Sequence, residues 1–247
     1  GAGDAGSALG AALFAWHGLL GEPREQGNGG AGAGNAGRRP ATSDRPVAST
    51  PLERPLELFM QKPMLLLVYP EVPDTYWSYK NALKFIGKKA LMPPLGLATI
   101  AAMIPDDYEI RIVDLNVERL PDKLIRAADL VLISAMIVQA DSMRAVIERC
   151  RSAGTPVAAG GPYVTSCHES LDGVDYAVLG EVEETFGEFL ADFREGRARP
   201  VYRAASRPDL SCVPVPRYDL LKLKHYDTLP IQFSRGCPFD CEFCDIV

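Results

Sequence analysis

The chain has 247 residues, 47% hydrophobic and 23% charged, the proportions of an ordinary globular protein of one or two domains. Its 26 Lys+Arg against 32 Asp+Glu give a net charge of −6, which argues against nucleic-acid binding through a broad basic face. No apolar run approaches the roughly 20 residues needed to span a bilayer. Asp4 stands where a secretory signal carries its basic residues, so a cytoplasmic location is expected.

Twelve of the 22 glycines fall in residues 1–40, and Pro, Ser and Arg dominate Arg38 to Pro55. Residues 1–60 therefore read as a disordered or non-native leader, unable to bury enough apolar surface to offset the entropy of ordering. From Met64 the pattern changes. Met64 to Tyr69 is a short apolar run ending at Pro70. Leu95 to Met103 opens after Pro93-Pro94, which suits a helix start. Tyr108 to Asp114 alternates and ends on a carboxylate. Asp122 to Ala127 is a short helix candidate, followed by a buried run from Asp129 to Ser134. Asp141 to Ala153 carries Met143, Val146, Ile147 and Cys150 on one helical face and stops at Gly154. Pro156 to Ala159 runs into Gly160-Gly161, and Asp175 to Leu179 runs into Gly180-Glu181. Glu183 to Arg194 has Phe186, Phe189, Leu190 and Phe193 on one stripe and stops at Gly196.

Five strands alternating with helices predict an α/β domain over residues 61–205. The expected fold is a flavodoxin-like, Rossmann-type doubly wound parallel sheet, order 2-1-3-4-5, with right-handed crossovers. Ligands in such sheets sit beyond the carboxyl ends of the strands. Those ends carry Asp114, Asn116, Ser134, Gly160, Gly161, Gly180 and Glu181. Paired glycines let backbone approach a bulky ligand closely; equally, Gly and Asp are ordinary strand-end turn residues.

The end of the sequence is more specific. Cys237, Cys241 and Cys244 form C-x3-C-x2-C in a chain with no secretory signal, a setting that favours metal over disulfides. Three thiolates are one short of a closed zinc site or a four-cysteine cluster site. A cubane held by three cysteines keeps one iron open; zinc with His225 as fourth ligand is the alternative. Cys150 reads as core, and Cys167 and Cys212 take no role. His168 reads as a solvated or core histidine.

Phe233 to Cys244, with Phe243 before the last cysteine, resembles the cluster motif of radical S-adenosylmethionine (SAM) enzymes. The preceding region resembles the cobalamin-binding domain of one large subclass. Tyr76-Trp77-Ser78-Tyr79 and Pro93-Pro94-Leu95-Gly96-Leu97 make it similar to the group that includes the hopanoid C-2 methylase. The resemblance implies that Cys237, Cys241 and Cys244 hold a [4Fe-4S] cluster, that SAM chelates the open iron, and that Phe243 lies near the adenine. It implies cobalamin at the strand-end residues, a methyl transfer to an unactivated carbon of a small or lipid-like substrate, and a flavodoxin or ferredoxin as electron donor.

Two departures qualify that expectation. Corrinoid proteins of the methionine-synthase type carry Asp-x-His-x-x-Gly, whereas Asp114-Leu-Asn116-Val-Glu-Arg119 lacks both the His and the Gly. Residues 206–247 read as a linker and the start of a radical SAM barrel, with Thr228 to Ser234 as its first strand, although a full barrel needs about 250 residues. The chain is therefore expected to be an amino-terminal fragment, inactive alone. The contrasting reading is a non-catalytic cobalamin- or ligand-binding module with an incomplete cluster loop.

Overall fold

Six short strands form one parallel sheet in the computed structural model, which describes residues 62–205, 208–237 and 239. The elements run β1 Met64–Tyr69, α1 Lys80–Leu83, α2 Leu95–Met103, β2 Glu109–Asp114, α3 Asp122–Ala127, β3 Leu130–Ser134, α4 Ala140–Ala153, β4 Val157–Gly160, α5 Pro162–Cys167, β5 Tyr176–Leu179, α6 Val182–Arg194 and β6 Val201–Arg203. The strand order is β2-β1-β3-β4-β5-β6. It contains the expected 2-1-3-4-5 arrangement and extends it by one strand. The expectation for residues 1–60 lies outside the described residues.

Strand β1 shows why the sheet is covered on both faces. Its run Met-Leu-Leu-Leu-Val does not alternate, because each residue has apolar neighbours on its own side. Leu66 and Val68 pack with Ile125 of α3, Met143 and Ile147 of α4 and Val164 of α5. Leu65 and Leu67 face the other way, toward Leu97 of α2 and Phe186 and Phe189 of α6. The edge strand β2 does alternate at its start, with Glu109 and Arg111 exposed. Helix α4 buries Met143, Val146, Ile147 and Cys150 at helical spacing and ends at Gly154, whose φ of 72° closes it in the left-handed region. Burial pushes the Cys150 thiol up to about 11, which makes it an inert core residue.

Strand β6 went unanticipated because only three residues form it and only Tyr202 points inward. That ring is 2% exposed and meets Phe189 edge-on at 5.3 Å. Its hydroxyl donates to the buried Asp192 at 2.7 Å, so one aromatic side chain anchors the strand to the core beside its ladder with β5.

The segment after β6 differs from expectation in two ways. Thr228–Ser234 forms no strand among the described residues; no neighbouring strand offers it a ladder, and Ile231 and Phe233 are 89% and 98% exposed. Residues 217–228 do not behave as a loose linker. The Arg217 N–H donates to the Ala98 carbonyl, the Lys89 N–H to the His225 carbonyl and the Thr228 N–H to the Leu91 carbonyl. Ala90 and Tyr226 make a parallel bridge, and Leu220 and Leu221 pack against the core face shared by α2 and α6.

Candidate functional site

Parallel strands end together, and register shows which residues share the carboxyl edge. Tyr69 pairs with Asp114 across β1 and β2, Ser134 with Gly160 across β3 and β4, and Leu179 with Arg203 across β5 and β6. Asp114, Ser134, Gly160 and Gly180 therefore lie along one edge, as the sequence pattern predicts. His168 lies elsewhere. It lines a small cavity of about 130 Å³ with Asp175, Pro200 and Val201, residues at the amino ends of β5 and β6.

At the β2 end the candidates are occupied by the protein itself. Asp114 is 1% exposed. Its Oδ1 accepts from the Asn116 backbone N–H at 2.8 Å and from Asn116 Nδ2 at 2.7 Å, and its Oδ2 accepts from the Tyr226 hydroxyl at 2.8 Å. Burial raises the Asp114 carboxyl above its ordinary range, and the Asn116 hydrogen bonds oppose that rise without cancelling it. Burial and the facing Asp114 carboxylate drive the Tyr226 phenol well above its usual value, so it serves as a proton-bearing donor. Asn116 is also committed: its Oδ1 accepts from the Val72 N–H at 2.8 Å, and its Nδ2 reaches the Pro70 carbonyl at 3.3 Å. Its amide thus ties the β1 and β2 ends together at the position where the corrinoid motif would place an imidazole.

Gln139, which the sequence reading did not single out, makes a matching clamp. It is fully buried, donates to the Pro70 carbonyl and accepts from the Met136 N–H at 2.8 Å. Its only sequence signal was a polar residue three positions after Met136, just ahead of an amphipathic helix.

The middle of the edge is built from small residues. Ser134, Gly160 and Gly161 are half-buried and Gly180 is exposed. The need for glycine is set by neighbouring backbone. A Cβ on Gly160 would stand 3.0 Å from the Val178 carbonyl oxygen, and one on Gly161, where φ is 89°, would stand 2.7 Å from Ser134 Oγ. The Ala135 N–H donates to the Gly160 carbonyl and the Tyr163 N–H to the Ala135 carbonyl, while the Gly180 N–H donates to the Thr165 hydroxyl at 3.1 Å. Small residues therefore form the strand ends of β3 and β4 and the turn after β5.

Glu181 lies at the β5 end and does not stand free. Arg235 Nη1 contacts Glu181 Oε2 at 2.7 Å, and Arg235 Nη2 contacts Glu183 Oε1 at 2.5 Å. The start of the cysteine loop is thereby fastened to the sheet edge. Cys237 follows two residues later, half-buried, its Cα at most about 7 Å from that of Arg235. Cys241, Phe243 and Cys244 lie outside the described residues, and among the described residues no three metal-ligating side chains cluster. His225 sits at the opposite side of the edge, beside β2, where its carbonyl accepts from the Lys89 and Ala90 amides. Four strand spacings, about 19 Å, separate β2 from β5. The ammonium groups of Lys89, Lys224 and Lys222 act on the His225 imidazole and oppose a divalent cation there. Together with the separation from β5, this speaks against the zinc alternative.

The residues present fit a corrin held by shape. Within residues 62–205 the one imidazole, His168, is at the far end of the sheet, and Asn116 is spent on protein partners.

Residues 88–190 match the family described as the B12 binding domain, a stretch that runs from just before α2 into α6. An uncharacterized methyltransferase of Synechocystis sp. is 44% identical over 184 residues, covering 74% of this chain and 34% of that protein. The hopanoid C-2 methylase of Rhodopseudomonas palustris is 33% identical over 187 residues, covering 74% and 36%. An uncharacterized methyltransferase of Pyrococcus horikoshii is 31% identical over 205 residues, covering 70% and 44%. The chain spans about a third of the length of the first two relatives. Among the described residues, no helix is long and apolar enough to cross a membrane.

Proposed function

We propose that residues 61–205 bind cobalamin at the carboxyl edge of the sheet and serve a cobalamin-dependent radical SAM methyltransferase acting on an unactivated carbon. The observation that carries this reading is the row of small residues at the carboxyl ends of β3, β4 and β5, with Arg235, two residues before Cys237, fastened at the β5 end. Ser134, Gly160, Gly161 and Gly180 would face the corrin. Asp114 and Asn116 act one layer beneath, fixing the loops that border it. Cys237, Cys241 and Cys244 would hold a [4Fe-4S] cluster with one iron left for SAM, and Phe243 would lie near the adenine. Bound cobalamin supplies a cobalt-carried methyl group, and the cluster with SAM supplies one-electron chemistry able to activate an inert C–H bond. The chain's own task is to bind, orient and keep water from these groups. A small or lipid-like substrate and a flavodoxin or ferredoxin donor complete the proposal.

Titrating the purified chain with hydroxocobalamin and desalting it tests the reading. Retained pigment near one equivalent, with a spectrum showing no imidazole on cobalt, is the expected result. A colourless protein would contradict it.

A further inference from the structure

Arg235 lies in the least regular part of the described chain, yet its guanidinium is among the most fully engaged groups in the molecule. Nη1 meets Glu181 at 2.7 Å, Nη2 meets Glu183 at 2.5 Å, and Nε donates to Gln232 at 3.0 Å. Three partners in three directions fix the plane of the fork as well as its position, which a lysine ammonium cannot do. The Arg235 side chain is only 16% exposed and that of Glu183 9%, so solvent screens this pair less than the ion pairs elsewhere on the surface. Glu183 Oε2 is buried with no hydrogen-bond partner. The carboxylate therefore depends on Arg235 for its compensation, and removing the cation would leave a buried charge unpaired. Glu181 follows Gly180 in the β5–α6 turn and Glu183 lies in the first turn of α6, whereas Arg235 is 54 residues from Glu181 along the chain.

We propose that Arg235 is a positioning residue: its clamp on Glu181 and Glu183 holds Cys237 against the corrin edge. The proposal rests on the cobalamin reading above and adds to it the device that sets the place of Cys237 relative to the corrin. With the clamp closed, Cys237 stays beside β5 and a corrin lying over β3 to β5 covers it. With the clamp open, Cys237 leaves that edge while the corrin site remains, because the clamp's hydrogen bonds run to Glu181, Glu183 and Gln232 and not to Ser134, Gly160 or Gly161.

The test compares the reaction of Cys237 with iodoacetamide, read by mass spectrometry, in the full chain with and without hydroxocobalamin. Wild type is expected to show about tenfold slower alkylation of Cys237 when cobalamin is bound. The double variant Arg235→Ala with Glu183→Gln, which strands no buried charge because Glu181 is part-exposed, is expected to retain pigment but lose that protection. Arg235→Lys should keep part of it, and the swap Arg235→Glu with Glu183→Arg should restore part. Equal protection in wild type and the double variant would overturn the proposal, as would no protection in a wild type that retains pigment. A wild type that retains no pigment would contradict the cobalamin reading itself, while the difference in alkylation between wild type and double variant without cobalamin would still report on the clamp. Equal rates there would overturn the clamp as well.

Discussion

Anaerobic reconstitution with iron and sulfide is expected to load about four irons on the cysteine loop, and Cys241→Ala to abolish that uptake. On the proposed reading, three thiolates at C-x3-C-x2-C spacing would hold three irons of a cubane, and losing one would leave too few ligands to keep it. The cluster should also bleach in air, since Cys237 is only half-buried and Gly236 beside it is exposed, and exposed thiolates oxidise readily. Iron analysis with visible absorption before and after exposure checks both parts. One equivalent of stable zinc, lost on His225→Ala, would point to the alternative site and contradict the cluster.

The second large effect concerns stability. Tyr226→Phe is expected to lower the unfolding free energy by about 2–3 kcal/mol at neutral pH, the cost of removing a hydrogen bond to a buried charged group. Asp114 Oδ2 would remain buried without its donor. The pH dependence has a defined sign. Asp114 binds its proton more tightly in the folded chain than in the unfolded one, so its contribution to stability is fully present below the unfolded carboxyl value and is lost as pH rises through the folded value. The Tyr226 hydroxyl holds the folded value down. Its removal raises that value further, so the deficit of the variant should be small in acid and grow toward neutrality. Urea unfolding at pH 4 and pH 7 measures this directly; equal deficits at the two values would refute the charge-assisted role of Tyr226.

Most of the sheet was legible because its signals are local. The non-alternating run at Met64, the stop at Gly154 and the glycines after β4 each declare an element and its end within a few residues. The carboxyl edge was legible for the same reason: once the strands are parallel, their last residues must share one side. What escaped depends on partners distant in the chain. Tyr202 makes a strand out of three residues only because Phe189 and Asp192 await it. Tyr226 sits in a segment that reads as a linker, and its meaning comes from Asp114, 112 residues away. Arg235 stood inside the quoted motif, but nothing nearby names Glu181 and Glu183 as its partners. The glycines show a different limit. Their positions fall on the carboxyl edge, while the physical need for them at Gly160 and Gly161 is the approach of Val178 and Ser134.

Hydrogen exchange of the chain with and without cobalamin tests the location of the corrin most directly. The account predicts slowed exchange in the loops after β3, β4 and β5, around Ser134 to Met136, Gly160 to Tyr163 and Gly180 to Val182. It predicts no change around Leu171 to Asp175, at the amino end of β5. Protection confined to that amino end, or absent from the carboxyl edge of a chain that holds cobalamin, would contradict it.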